Sequence, residues 1–425
     1  MIAELVNTGS ELMLGRVLNS HQQWLCRQCS DLGYLVSRQA AVPDQAGEIE
    51  SAVRESLSRA DLVITTGGLG PTSDDLTRQS IARLLGRRLR EDEETLTRIQ
   101  AFFALRNRPL PESTRVQAMV PEGALVLPNQ EGTAPGLAIQ VKPNRFRNNG
   151  QGSWLIMLPG PGRELRPLFT HSVVPLLRRA LPLTDTFVCC TLRTTGAGES
   201  SVQEKIEGSL RELVRKGLDV GYCAKPGQVD VRLAARGANA QDCVDQAEAR
   251  VRAQLGSDIF GSGDETLEEV VIRLLVQRKR TLAIAESCTG GCIAHHLTNV
   301  SGASAVFRAG WVTYSNEAKQ AFLGVRAETL DRYGAVSQAV AREMAAGARQ
   351  ASQADYAIAV TGIAGPTGET PDKPVGTVFI ALASPQETQV WHQYNVWDRV
   401  TFKEVTTGQA LNQLRLALQK PELGS

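Results

Sequence analysis

The chain has almost no excess of charge and no long apolar run, and both absences set bounds before any motif is read. Lys and Arg number 46 against 45 Asp and Glu, a formal net charge of +1. No overall field therefore draws the protein to nucleic acid or to an anionic membrane, and neither is expected as a partner. No apolar stretch approaches the ~18 residues that a membrane-spanning helix needs. The opening MIAELVNTGSELMLG has no basic segment and no small-residue cleavage site, so it reads as a first strand and loop, and a cytoplasmic location is expected. Histidine is scarce, with five in all. His295 and His296 are adjacent in a helical stretch and do not share a face, which argues against a two-histidine metal site. The eight cysteines are scattered and are expected to be free thiols. Cys26 and Cys29 form a C-x-x-C inside the helical HQQWLCRQCSDLG, without a second pair at zinc spacing, so packing is the expected role. What is present is ordinary globular composition, 42% hydrophobic and 21% charged over 425 residues, long enough for two or three cores.

Read along its length, the chain predicts an α/β protein in three parts. Residues 1–168 alternate strand and helix: IAELVNTG, SHQQWLCRQCSDLGY, LVSRQAAV, AGEIESAVRESLSRA, DLVITTGG and DDLTRQSIARLLG. That rhythm predicts a parallel sheet covered on both faces, with ligands at the carboxyl ends of its strands. Residues 169–262 read as a small α+β linker domain. Residues 263–425 form a second α/β unit, opening with a helix that Thr266 could cap. The final PELGS is expected to fray.

Two glycine-rich turns carry the chemistry. The first, TTGGLGPTSDDLTR (65–78), follows a strand and opens a helix. Gly67, Gly68 and Gly70 let backbone N–H groups approach an anion, and Thr72 and Ser73 add hydroxyls. Asp74 and Asp75 would repel a phosphate unless a divalent cation neutralised them, or else one of them simply caps the helix. The segments GGLGPTSDDLTR, QAMVPEGALVLPNQEGTAPG (117–136) and LPGPGRELRPL (158–168) resemble the molybdopterin-binding fold of the CinA family, a three-layer α/β domain. The resemblance implies nucleotide pyrophosphate cleavage, with ADP-ribose as the usual substrate and with divalent metal of the Mg²⁺ type and K⁺ as cofactors. It places nucleotide binding on Gly67, Gly68, Gly70, Thr72, Gly132 and Thr133, and metal on Glu11, Asp74 and Asp75. Ser10 stands where the family commonly has aspartate, and Gly162 where it usually has proline. An N-terminal site that binds without cleaving is therefore the alternative.

The second turn lies in TLAIAESCTGGCIAHHLTNV (281–300), where Ser287 and Cys288 sit side by side between strand and helix. Amide hydrolysis needs a nucleophile, a base and an oxyanion site. Ser287 fits the first role, and the N–H groups of Thr289, Gly290 or Gly291 could face an oxyanion. Lys319, at the end of YSNEAK, can be a base if burial depresses its pKa. Cys288 is the rival nucleophile, intrinsically the stronger. Successive side chains leaving a strand point opposite ways, however, so Ser287 in the site puts Cys288 in the packing. Tyr314 and Asn316 lie just before Lys319 and could orient it or the carboxamide, Tyr314 as a catalytic and Asn316 as a substrate-binding residue, unless they are an ordinary strand-end tyrosine and a turn asparagine. Glu286 could sit beside Lys319 and tune it. Thr361, Gly362, Ala364 and Gly365 form a loop suited to phosphate, and Arg399 could pair with phosphate or with Asp398.

AESCTGG, AGWVTYSNEAK, YGAVS, DYAIAVTGIAGPTG, KPVGTV and Trp397-Asp398-Arg399, in that order, closely resemble the CinA C-terminal domain, a nicotinamide mononucleotide amidohydrolase. The resemblance implies Ser287 as nucleophile and Lys319 as general base and acid, no cofactor for the amidase, and a homodimer. The expected ligands are small nucleotides, nicotinamide mononucleotide and ADP-ribose. The alternative is a non-catalytic factor that binds a molybdopterin-like ligand or a competence or recombination partner.

Overall fold

Alternating side chains along each central strand divide the hydrophobic residues between two faces, and this pattern organises both halves of the molecule. The structure, a computed structural model, describes residues 1–148, 150–183 and 185–420, so the PELGS tail lies outside it. The chain forms two compact units, Met1–Val188 and Cys189–Ser425.

In the first unit six strands run in the order Leu35–Val42, Ile2–Thr8, Leu62–Thr66, Ser153–Leu158, Gly136–Val141 and Leu125–Leu127. The first four are mutually parallel and the last two antiparallel. The sheet is thus mixed, not wholly parallel, because the last three strands follow one another through turns and short loops instead of crossover helices. Leu5, Ile64 and Ile156 point to one face, against Leu25 and Phe169, while Val6, Val63 and Leu155 point to the other, against Ile49, Val53 and Ile81. Both faces are therefore covered, as the βα rhythm predicts. The boundary expected after residue 168 falls inside a continuous helical run, Gly162–Leu168, Phe169–Val173 and Val174–Ala180. Leu165, Phe169, Val173 and Leu177 of that run belong to the same core as Leu5, so burial keeps the run with the first unit.

The second unit contains two sheets. The smaller has the order Asp219–Lys225, Gln228–Arg236, Phe187–Thr195, Ile259–Ser262 and carries the helices Glu199–Arg215 and Ala240–Leu255. The larger has the order Phe307–Val312, Leu282–Glu286, Tyr356–Gly362, Thr377–Ala383, Thr388–Tyr394, with the first three strands parallel and the rest antiparallel. Its two faces differ in size. Ile284, Ile358, Val360 and Ile380 pack with the helices Leu267–Gln277 and Arg399–Gln419. Ala283, Ala285, Ala357, Ala359 and Ala381 form the other face, under Ala341, Met344, Ala345 and Ala348 of the helix Gln338–Ser352. Alanines let that helix lie close. Thr266 caps the helix Leu267–Gln277 with a reciprocal bond from Glu269. Arg415, buried on the last helix, donates to the carbonyls of Ser257 (2.5 Å) and Ile259 (3.3 Å), which ties the smaller sheet to the larger one within this unit. Among the described residues no helix is long and apolar enough to cross a membrane.

Candidate active sites

The strand Leu282–Glu286 delivers Ser287 to the carboxyl edge of the larger sheet, where the Ser287 N–H still donates to Val360 O at 3.0 Å. The alternation continues through the turn. Leu282 and Ile284 face the large-residue side, and Cys288 joins them in that core, 6% exposed. Burial pushes the Cys288 thiol up to about 12, so it is neutral and inert at ordinary pH. Ser287 faces a cleft of about 220 Å³ lined also by Tyr314, Asn316, Lys319, Thr361, Gly362, Ala364 and Arg399, and Cys288 borders it while remaining almost wholly buried.

Lys319 lies on the helix Asn316–Leu323, which begins at the Ser315 cap. Its side chain is 1% exposed. Nζ donates to Ser287 Oγ at 3.2 Å and to the Thr313 carbonyl at 2.9 Å. Burial lowers its pKa from the usual lysine value. The neighbouring thiol, being un-ionised, does not hold the ammonium charged. Arg399, the first residue of the helix Arg399–Gln419, donates to Gly365 O and to Tyr314 Oη, both at 2.7 Å. Asp398 does not pair with Arg399. It caps that helix instead, accepting from the N–H groups of Val400 and Thr401.

Other expected contacts are not made. Glu286, buried, turns away from Lys319 and accepts the N–H groups of Gly291, Ile293 and Ala294 at 2.9, 3.1 and 2.9 Å. It thereby satisfies the start of the helix Cys292–Thr298. The Gly291 N–H is thus spent on Glu286, and the Gly290 N–H on Ser287 O, so neither is free for an oxyanion. Thr289, Gly290, Gly291 and Gly365 do not line the cleft. Gly365 contributes through its carbonyl, which holds Arg399.

In the first unit a cleft of about 400 Å³ opens at the carboxyl ends of the strands Ile2–Thr8 and Leu62–Thr66. Gly67, Gly68, Gly70, Thr133, Glu11, Asp74 and Asp75 line it, while Thr72 and Gly132 do not. A Cβ on Gly67 would meet Thr8 O at 2.4 Å, and one on Gly68 would meet Thr77 Oγ1 at 2.1 Å, so both glycines are required by close approach. Neither aspartate caps with its side chain the helix Thr77–Leu85, whose N-cap is Leu76. Asp75 instead accepts both the Thr72 N–H at 2.9 Å and the Thr72 hydroxyl at 2.5 Å.

Among the cleft residues not read as site residues in the sequence are Asp44, Gln117 and Glu164. Asp44 stands beside Ser10, accepting its N–H at 2.7 Å and donating its own N–H to Ser10 Oγ at 3.2 Å. Glu164 is 8% exposed and accepts Asn129 Nδ2 at 2.8 Å, and burial raises its pKa. A Cβ at Gly132 would lie 2.0 Å from Glu164 Oε2, so Gly132 serves by making room for that acid. At Gly162 the His21 ring fills the space, with Cε1 2.6 Å from a Cβ position.

A sheet unit with a glycine-lined acidic cleft, followed by a unit with a buried Ser–Lys pair at a strand–turn–helix junction, defines a two-module α/β protein. Three family descriptions match these parts in order: "Probable molybdopterin binding domain" over residues 4–179, "Damage-inducible protein CinA KH domain" over 190–261, and "CinA C-terminal domain" over 264–418. The CinA-like protein of Akkermansia muciniphila is 44% identical across 98% of this chain and 97% of its own length. The CinA-like protein of Kosmotoga olearia is 40% identical across 98% and 99%. The chain belongs to the CinA family. Of solved structures, the competence/damage inducible protein CihA of Agrobacterium tumefaciens is 42% identical over 36% of this chain and 94% of its own, with a TM-score of 0.35. The match to the small second-unit sheet identifies as a KH-type domain what the sequence alone reads only as an α+β linker.

Proposed function

We propose that the second unit hydrolyses nicotinamide mononucleotide to nicotinic acid mononucleotide and ammonia. The observation that carries this reading is the buried Lys319 amine 3.2 Å from Ser287 Oγ in an open cleft. The neutral amine takes the Ser287 proton as Oγ bonds to the carboxamide carbon. The resulting ammonium returns that proton to the amide nitrogen, the C–N bond breaks and ammonia leaves. Water then attacks the seryl ester, Lys319 accepts its proton, and Ser287 recovers it as the acid departs. The Tyr314 hydroxyl, already accepting from Arg399, keeps its own proton for a phosphate or ribose oxygen. Arg399 retains guanidinium N–H groups for the phosphate. The test is ammonia release from nicotinamide mononucleotide by the full chain and by Ser287→Ala. Turnover that survives in Ser287→Ala, or no ammonia from the full chain, overturns the reading.

For the first unit we propose binding and cleavage of a pyrophosphate of the ADP-ribose class. The carboxylates of Glu11, Asp44, Asp74, Asp75 and Glu164 gather on one cleft beside glycines that bring the backbone close. All-oxygen donors suit a hard divalent cation of the Mg²⁺ type, which would neutralise the pyrophosphate and polarise its phosphorus–oxygen bond. Asp44 supports this reading, because it sets a second carboxylate near Glu11, against the Ser10 position that has none of its own. Mg²⁺ with ADP-ribose is expected to raise the melting temperature of the first unit and to yield AMP. Stabilisation without AMP would leave a binding module.

A further inference from the structure

Beside the Ser287 turn, and outside its cleft, side chains with metal-ligand chemistry converge. The helix Cys292–Thr298 carries Cys292 and His296 one turn apart on a shared face. The helix Arg399–Gln419 brings Glu404 against them. Glu404 Oε2 lies 2.9 Å from His296 Nε2, and Glu404 Oε1 lies 3.5 Å from Cys292 Sγ. One donor atom from each of the three residues falls within 4.8 Å of the others. On the opposite edge of the imidazole, Nδ1 stands 3.6 Å from Glu268 Oε1 of the helix Leu267–Gln277.

We infer that this cluster binds one divalent cation of the Zn²⁺ class, ligated by the Cys292 thiolate, His296 Nε2 and the Glu404 carboxylate. Ligands about 2.0–2.3 Å from a tetrahedral metal stand about 3.3–3.8 Å from one another, so the observed spacings need only small side-chain rotations to close on an ion. The donor set selects the ion. A thiolate and an imidazole beside a single carboxylate suit Zn²⁺, whereas Mg²⁺ and Ca²⁺ take oxygen. Glu268, 3.6 Å from Nδ1, needs a small side-chain rotation to accept a hydrogen bond there, which would orient the ring and leave Nε2 for the metal. Cys292 and His296 are half-buried and Glu404 is exposed, so a fourth position remains open to water.

None of the four residues lines the Ser287 cleft, and the site is independent of the amidase reading. Its consequence is mechanical. The ion ties the helix that follows the Ser287 turn to the helix that begins with Arg399. Without an ion, the same residues make a protonated imidazole between two carboxylates, and the experiment separates the two.

The full chain, stripped with a chelator, is titrated with Co²⁺ as the probe. With excess Mg²⁺ present to occupy the oxygen-lined cleft of the first unit, saturation at one Co²⁺ per chain is expected, with a thiolate-to-cobalt charge-transfer band and the visible bands of tetrahedral cobalt. Zn²⁺ should displace it and raise the melting temperature. The band is expected to disappear in Cys292→Ala and His296→Gln and to persist in Cys26→Ala. Glu268→Gln, which touches no ligand-to-metal bond, should keep the band and weaken Co²⁺ affinity about 10–100-fold. Absence of the band from the full chain, its persistence in Cys292→Ala, or its loss in Cys26→Ala would overturn the proposal.

Discussion

Replacing Lys319 by methionine isolates the proton-transfer role of the amine from its packing role. The two side chains are similar in length and flexibility, so the buried space stays filled. The substitution deletes two hydrogen bonds, to Ser287 Oγ and to the Thr313 carbonyl. An unsatisfied carbonyl costs about 1–3 kcal/mol. Against this, the lowered pKa of Lys319 records a real cost of holding an ammonium there, and methionine removes that cost. The net stability change should therefore lie within about 1.5 kcal/mol of zero, or under about 6 °C in the melting temperature of the second unit. Activity should respond very differently. Loss of a positioned general base costs about 10²–10⁴ in kcat/KM, which is about 2.7–5.4 kcal/mol of barrier. The assay is ammonia release from nicotinamide mononucleotide beside a thermal melt. For the native chain, the pH profile should rise as Lys319 deprotonates and level off below the ordinary lysine value of about 10.4, because burial favours the neutral amine. Lys319→Arg, which cannot deprotonate, should be as inactive as Lys319→Met. Retention of more than about a tenth of the native rate by either variant refutes the reasoning, as does a profile still climbing above about pH 10.5.

The neighbouring residues separate in the same assays. Cys288→Ala should keep ammonia release within about threefold and cost about 1 kcal/mol of stability in denaturant unfolding, since the thiol lies in the core and is neutral. Glu286→Ala should cost about 2–4 kcal/mol, because three helix-start N–H groups lose a carboxylate, and a melt unchanged from the native one would contradict that account. Gly132→Ala should abolish the Mg²⁺-dependent stabilisation of the first unit by ADP-ribose and leave ammonia release intact, since its Cβ would displace Glu164.

Much of the architecture was legible because it rests on short-range periodicity. The alternation in TLAIAE separates alanines from large residues, and carried two residues further it assigns Ser287 and Cys288 to opposite sides. The βα rhythm of the first 85 residues gave the parallel strands, but the three strands between Leu125 and Leu158 were not read, since short runs broken by glycine and proline carry little period. The boundary expected after residue 168 falls within a helical run that contains Pro167 and continues to Ala180, because the apolar face of that run is needed by the first core.

The residue types of both sites, and the family to which the chain belongs, were fixed by local segments: a serine and a lysine in separate motifs, glycines and acids on one loop. Which groups touch was decided by the sheet order. Arg399 meets Tyr314 across 85 positions, Glu164 meets Asn129 across 35, and Glu404 meets His296 across 108. The Cys292–His296 spacing was visible on one helix face, but the carboxylate that completes the trio arrives from a helix more than a hundred residues away. Glu286, next to Ser287 in the chain, was expected beside Lys319. The turn carries its carboxylate to the start of the next helix, where unpaired N–H groups compete for it more strongly. Spacing specifies which face a side chain occupies, and only the packing of elements distant in the chain specifies what stands opposite it.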